Sequence, residues 1–160
     1  MKKKQDLPAI GWREWLSLPE LGIVAVKAKI DTGARSSAIH AFDLQTFSSE
    51  DKYKVRFKVH PYQRNPHTTV ISEAEILEER EVRNSGGHTE LRLTIVTLVV
   101  LGGSEWPIEL TLTNRDVMGF RMLLGRQAVR DRFLVNPGKS YLLSRNLSPT
   151  GKKQVKRIIV

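Results

Sequence analysis

The 160-residue chain reads as an all-β domain on three observations: short runs of alternating apolar and polar residues, turn clusters of Gly, Pro and Asn between them, and scarcely a segment of helical composition. Its length suits one domain that buries a real core. Cysteine is absent, which excludes disulfides, thiolate metal sites and a cysteine nucleophile. Patterning alone leaves the class as a sandwich or a small barrel.

Residues 1–9 read as a flexible arm; Lys2, Lys3 and Lys4 lead into no apolar segment, so neither a signal peptide nor a membrane span is visible and a cytoplasmic protein is expected. Residues 10–16 hold Trp12 and Trp15 in a short apolar stretch stopped by Pro19, an edge strand or docked arm. Residues 21–30 alternate, with Val24, Val26, Ala28 and Ile30 on one face and Lys27 and Lys29 on the other, and end at Asp31. A second strand is expected over 36–41, a polar connection of helix-compatible composition over 43–51, a strand over 55–59 and a Pro-interrupted loop over 60–69. The Glu-rich piece 73–81 suits helix or strand and is assigned to a strand pair. Ser85-Gly86-Gly87 then tips a hairpin between 79–83 and 91–101, and Gly102-Gly103 turns the chain into 106–112. Residues 114–116 end that hairpin and 120–124 form a further strand. Residues 126–132 are the one segment favouring a helix, and 133–135 with 141–143 make a final hairpin about Asn136-Pro137-Gly138. From Ser144 the chain reads as a poorly anchored tail.

Charge is the compositional outlier, with 26 Lys and Arg against 17 Asp and Glu, net +9. That excess favours an anionic partner: nucleic acid, a membrane surface or an acidic polypeptide. No basic motif interleaved with aromatics is present, so nucleic acid is a secondary reading. His40, His60, His67 and His88 fall at irregular spacings without a His-Glu-x-x-His helix, and no metal site or cofactor is expected. Gly138-Lys139-Ser140 imitates the end of a phosphate loop, but Phe133 stands where the first glycine belongs.

Asp31-Thr32-Gly33-Ala34 remains as the candidate site, because a strand end fixes a carboxylate in place and a glycine without Cβ folds the backbone tightly around it. An isolated aspartate is a poor base at neutral pH and no acid. Two close carboxylates cannot both ionise, so they share a proton, and one acts as base toward water while the other acts as acid toward a carbonyl. The chain holds a single Asp-Thr-Gly, so the second carboxylate must come from another copy across a two-fold axis.

The apolar strand ending in Asp31-Thr32-Gly33-Ala34, the glycine-tipped hairpin at 85–87 and Leu123-Leu124-Gly125-Arg126 before a short helix resemble the retropepsin-like aspartic proteases. Gly11-Trp12-Arg13-Glu14, residues 27–35, 110–116 and 120–126 are similar to the bacterial family labelled ATP-dependent zinc proteases, over nearly all of 10–143. The residues carry the aspartic-protease motif but neither a phosphate loop nor a zinc constellation, so zinc and ATP dependence find no support in them. The resemblance implies a small closed barrel with one short C-terminal helix, and a homodimeric aspartic endopeptidase linked to a glutamate ligase. Its implied substrate is an acidic or glutamylated polypeptide, such as a modified ribosomal protein tail.

By the same resemblance Asp31 supplies one carboxylate, Thr32 bonds across the two-fold, Gly33 admits substrate backbone and Ala34 packs beneath. Gly125 and Arg126 lie at the crossing strand, and Gly86 and Gly87 at a mobile flap tip. Arg35 departs from the retroviral pattern, which has an acidic residue paired with the arginine at the position of Arg126. Either Arg126 finds another partner, Asp116 or Asp131 being candidates, or the dimer is assembled differently, while Arg35 binds substrate carboxylates or, like Arg126, makes a structural salt bridge. The expected organisation is an arm over 1–9, a protease domain over 10–143 and a basic tail over 144–160. The alternatives are a non-catalytic peptide-binding module on the same fold and a metal-dependent hydrolase.

Overall fold

The computed structural model describes residues 6–62, 67–84, 86–114 and 119–145, so most of the expected arm and tail lies outside the described residues. Eleven strands follow in order: β1 (Ala9–Gly11), β2 (Arg13–Leu18), β3 (Ile23–Asp31), β4 (Ser37–His40), β5 (Phe42–Ser49), β6 (Lys52–Val59), β7 (Val70–Arg83), β8 (Thr89–Leu101), β9 (Ser104–Thr113), β10 (Met122–Gly125) and β11 (Leu134–Asn136). Helix α1 (Arg126–Val129) precedes β11. Nine strands form one sheet in the order β2-β3-β10-β4-β9-β8-β7-β6-β5, and Ser17 pairs with Val100 to bring β2 back to β8. Six strands thus close into a ring, and β7, β6 and β5 extend from it.

The ring is filled by residues that alternation turns inward: Leu16, Val26, Ala28, Ile30, Ile39, Ile95, Leu110, Met122 and Leu124 are all buried. The alternation of β3 changes phase, because a bulge opposes Leu16 to Val26 but Leu18 to Ile23. Val24, expected on the inner face, therefore lies outside and 75 % exposed.

Two parallel pairings place the chain around the candidate site: β3 runs beside β10, Gly125 opposite Asp31, and β4 beside β9. Between them β4 and β10 pair antiparallel. Parallel neighbours need long crossovers, so residues distant in sequence meet at the end of β3.

Several expectations need correction. Residues 43–51 form most of β5, an edge strand whose side chains are largely exposed, so no apolar alternation marked it. The Asn136-Pro137-Gly138 turn is real, with Gly138 N–H donating to Asn136 Oδ1 (3.0 Å). No hairpin follows it: β11 pairs in parallel with β1, and 141–143 form no strand. The expected helix over 126–132 stops at Val129, and Asp131 takes φ 65° in the left-handed region, which a helix does not continue through. Ala9 and Ser144, assigned to arm and tail, belong to the folded body: Ala9 lies in β1 and Ser144 is buried.

Ser144 is held by Glu14, a carboxylate with no exposed surface. Its Oε2 accepts from Gly11 N–H (2.6 Å) and Leu142 N–H (2.8 Å), and its Oε1 from Leu143 N–H (3.2 Å) and the Ser144 hydroxyl (2.5 Å). Four donors satisfy a group that would otherwise be costly to bury. Glu14 thereby fastens the C-terminal segment to β1 and β2. A Cβ on Gly11 would lie 2.4 Å from Lys139 O, so this close approach requires glycine. Among the described residues no helix is long and apolar enough to cross a membrane.

Candidate active site

β3 ends at Asp31, and its carboxylate folds the next residues into a tight turn. Oδ1 accepts from Gly33 N–H (3.0 Å) and Ala34 N–H (3.2 Å), and Ala34 N–H also reaches Asp31 O (3.2 Å). This self-capped turn is the ordinary aspartate device of satisfying backbone two and three residues on. Here it fixes one carboxylate oxygen. No hydrogen bond reaches Oδ2 among the described residues, and Asp31 is half-buried with Thr32 and Gly33 exposed.

The loop is braced from behind by β10 and α1. Arg126 N–H donates to Ala34 O (2.7 Å) and Gln127 N–H to Arg35 O (3.2 Å), so the first helix donors are satisfied by loop carbonyls. Arg126 Nη1 donates to Thr32 O (3.2 Å). Arg126 therefore serves the loop backbone; among the described residues no carboxylate pairs with it, Asp131 included, and Asp116 lies outside them. Arg35 needs no acidic counterpart in this arrangement and stands exposed beside the loop.

Gly125 is fixed by space. An added Cβ would meet Ser36 O at 2.4 Å and Ala34 O at 3.0 Å. Its N–H donates to Ser37 Oγ (3.0 Å), and Ser37 O accepts from Thr111 Oγ1 (3.1 Å). Ser37 thus ties β10, β4 and β9 together directly behind the loop. Sequence reasoning missed it, since one hydroxyl at a strand start carries no distinctive pattern. Glu14 was also missed as a buried anchor, although a charge between Trp12 and Leu16 was a signal for it.

The structure thus brings together Asp31, Thr32, Gly33, Ala34, Arg35, Gly125 and Arg126. Gly86 and Gly87 sit elsewhere, at the β7–β8 tip, where Asn84 Oδ1 accepts from Gly86 N–H (3.0 Å) and His88 N–H (3.1 Å). Gly87 has φ +83°, a conformation suited to glycine, and Ser85 lies outside the described residues. Nearer the barrel the hairpin is stiffened by Arg80, which bridges Glu78 and Glu109; hydrogen bonding to these two carboxylates raises the arginine's pKa.

Among the described residues no group of three His, Asp or Glu side chains could hold a metal ion. His40 Nε2 meets Asn114 O (3.1 Å) and His60 Nδ1 meets Thr68 O (3.1 Å).

A closed all-β ring presenting Asp-Thr-Gly-Ala at one strand end, braced by a Gly-Arg pair entering a short helix, defines a retropepsin-like fold. The chain belongs to the RimB-like family, described as retropepsin-like aspartic endopeptidase RimB, whose family model matches residues 9–146. It is also similar to two longer proteins named "Probable alpha-L-glutamate ligase". The one from Parasynechococcus marenigrum (strain WH8102) is 48% identical over 134 residues, 84% of this chain and 29% of that protein. The one from Desulfotalea psychrophila (strain LSv54 / DSM 12343) is 48% identical over 128 residues, 80% and 28%. The chain therefore spans less than a third of the curated relatives it matches. Among solved structures, protein Lpg0085 of unknown function from Legionella pneumophila superposes with a TM-score of 0.73 at 24% identity, over 86% of this chain and 98% of that one. That likeness speaks to the fold.

Proposed function

We propose that this chain is an aspartic endopeptidase whose site is completed by a second copy, and that it trims an acidic, glutamate-bearing polypeptide. The observation that carries the reading is the Asp31 turn: one carboxylate oxygen is held by Gly33 and Ala34 N–H, and the other has no partner within the described chain. In the dimer the two Asp31 carboxylates share one proton. The ionised one takes a proton from a water molecule, whose oxygen attacks the peptide carbonyl carbon. The protonated one gives its proton to the carbonyl oxygen, and the resulting diol collapses with proton transfer to the leaving nitrogen.

Two facts support the substrate class. The net charge of +9 attracts acidic chains over long range. A segment similar to this chain also makes up 29% of a protein named for glutamate ligation, which links this fold to glutamate-bearing polypeptides. A protease that removes ligated glutamates is the reaction class that would reverse their addition.

The test is incubation of wild type and Asp31→Asn with a glutamate-tailed protein and its untailed form, read by mass spectrometry. Wild type is expected to shorten the tailed protein alone, and Asp31→Asn to leave it intact. Equal shortening by both proteins would remove Asp31 from the chemistry.

A further inference from the structure

The sheet leaves a gap beside the loop that carries Asp31. β4 pairs with β9 only from Ser37 opposite Leu110 onward, so residues 104–109 of β9 have no strand on that side among the described residues. Helix α1 and the segment after it cover the gap in part, and a cleft of about 230 Å³ remains. It is lined by Ser36, Gln127 and Arg132 and by Trp106, Glu109 and Arg80. Ser36 lies on the far limb of the Asp31 loop: its carbonyl oxygen is what a Cβ on Gly125 would meet, and Gly125 stands opposite Asp31. Gln127 N–H donates to Arg35 O (3.2 Å), so the same loop and α1 together form one wall of the cleft.

The apolar part of the lining is held in place. Trp106 is buried, its indole N–H donates to Ala128 O (3.1 Å), and the Phe133 ring centroid lies 5.4 Å from its own. Arg132 lies over the Trp106 ring, its Cζ 5.0 Å from the centroid, so a cation–π contact keeps the guanidinium at the cleft. Of the charged lining residues, Arg80 and Glu109 bind each other (2.6 Å). Arg132 is the third, and its guanidinium makes no hydrogen bond or ion pair among the described residues. The Ser36 hydroxyl and the Gln127 side-chain amide make no hydrogen bond there either. Three side chains able to donate, beside an apolar ring, match a short aliphatic stem that ends in a carboxylate. The guanidinium fork takes such a carboxylate bidentately. Pockets for whole small molecules start at about 300 Å³, so this smaller cleft suits a single side chain.

We propose that this cleft seats a glutamate side chain of the substrate, away from the scissile bond, and that Arg132 is the residue that selects it. The proposal rests on the reading of the chain as a peptidase for acidic polypeptides. Net positive charge draws an acidic chain in over long range but does not tell one side chain from another. Arg132 does so at contact, with the glutamate methylenes against Trp106 and the carboxylate on the fork. Asp31 supplies the chemistry, and the cleft supplies part of the selection.

Binding can be measured without cleavage. The full-length Asp31→Asn protein is titrated calorimetrically with tetra-α-glutamate, and with tetraglutamine as the neutral control, at about 0.15 M salt to screen the long-range attraction. The glutamate peptide is expected to bind about tenfold tighter than the glutamine peptide, as a charge-assisted bidentate pair warrants. Adding Arg132→Gln should erase that preference, while Arg132→Lys, which keeps the charge but loses the fork, should keep only part of it. A preference that came from overall charge would survive the loss of one of 26 Lys and Arg. In proton–nitrogen correlation spectra of the Asp31→Asn protein, tetraglutamate should shift the Trp106 indole N–H more than those of Trp12 and Trp15. Circular dichroism checks that each variant is folded, and Arg132→Lys decides if Arg132→Gln is not. Equal affinity for the two peptides, a preference unchanged by the substitutions, or the largest indole shift at Trp12 or Trp15 overturns the proposal. Because cleavage is not read, failure here leaves the Asp31 experiment standing, and failure there leaves this binding result interpretable.

Discussion

At the scale of single residues, the site is a carboxylate held by its own turn and a glycine that nothing larger can replace. Gly125→Ala would drive a Cβ to 2.4 Å from Ser36 O, so the loop that carries Asp31 must move. Overpacking of this kind costs about 1–3 kcal/mol, and the urea midpoint should fall accordingly while cleavage is lost. An unchanged midpoint would mean that the loop yields without cost. Tyr141 offers a second test. Burial raises its pKa above the ordinary 10, the Arg13 charge opposing and the Glu14 charge assisting. The folded state then holds the phenol proton more tightly than the unfolded chain, so its contribution is intact below about pH 10 and is lost as pH rises through the folded value. Tyr141→Phe should show a shallower loss of stability than wild type between about pH 9 and pH 11. Identical alkaline profiles would contradict that assignment. Asp31 was legible in sequence because turn chemistry and motif coincide there. The partner of Arg126 was not, because a backbone carbonyl such as that of Thr32 leaves no trace in residue type.

At the scale of elements, what could be read followed how much of a strand faces the core. β3, β6, β8 and β9 alternate and were found; the Glu-rich 73–81, expected as a strand pair, is extended but lies within the single long strand β7. β5 was missed because its side chains are exposed along most of its length and nothing apolar repeats. The parallel β1–β11 pair was missed for another reason: the local turn at Asn136 is a correct signal, but the strand's partner lies over a hundred residues away. Four-residue motifs gain meaning only with that partner in view. Gly11 admits the returning backbone, Arg13 faces its tyrosine and Glu14 binds its amides. Glu14→Gln replaces an acceptor by an amide whose NH₂ faces donors, at a cost of about 2 kcal/mol, since hydrogen bonds to charged groups are worth about 1.5–3 kcal/mol. Hydrogen exchange should then speed up at Leu142 and Leu143 amides before the barrel is affected. Uniform acceleration throughout the chain would contradict a local fastening role.

At the scale of the whole molecule, the barrel is closed within one chain but the proposed chemistry is not. The ring of six strands fixes where Asp31 ends up, and in the proposed mechanism a second copy brings the other carboxylate. Titrating a fixed amount of wild type with Asp31→Asn on a glutamate-tailed substrate tests this most directly, once subunits have exchanged. If the site is shared, activity per wild-type chain falls to about one half at equal amounts, because half of its partners then lack the carboxylate. Activity per wild-type chain that stays constant at every ratio would contradict the account.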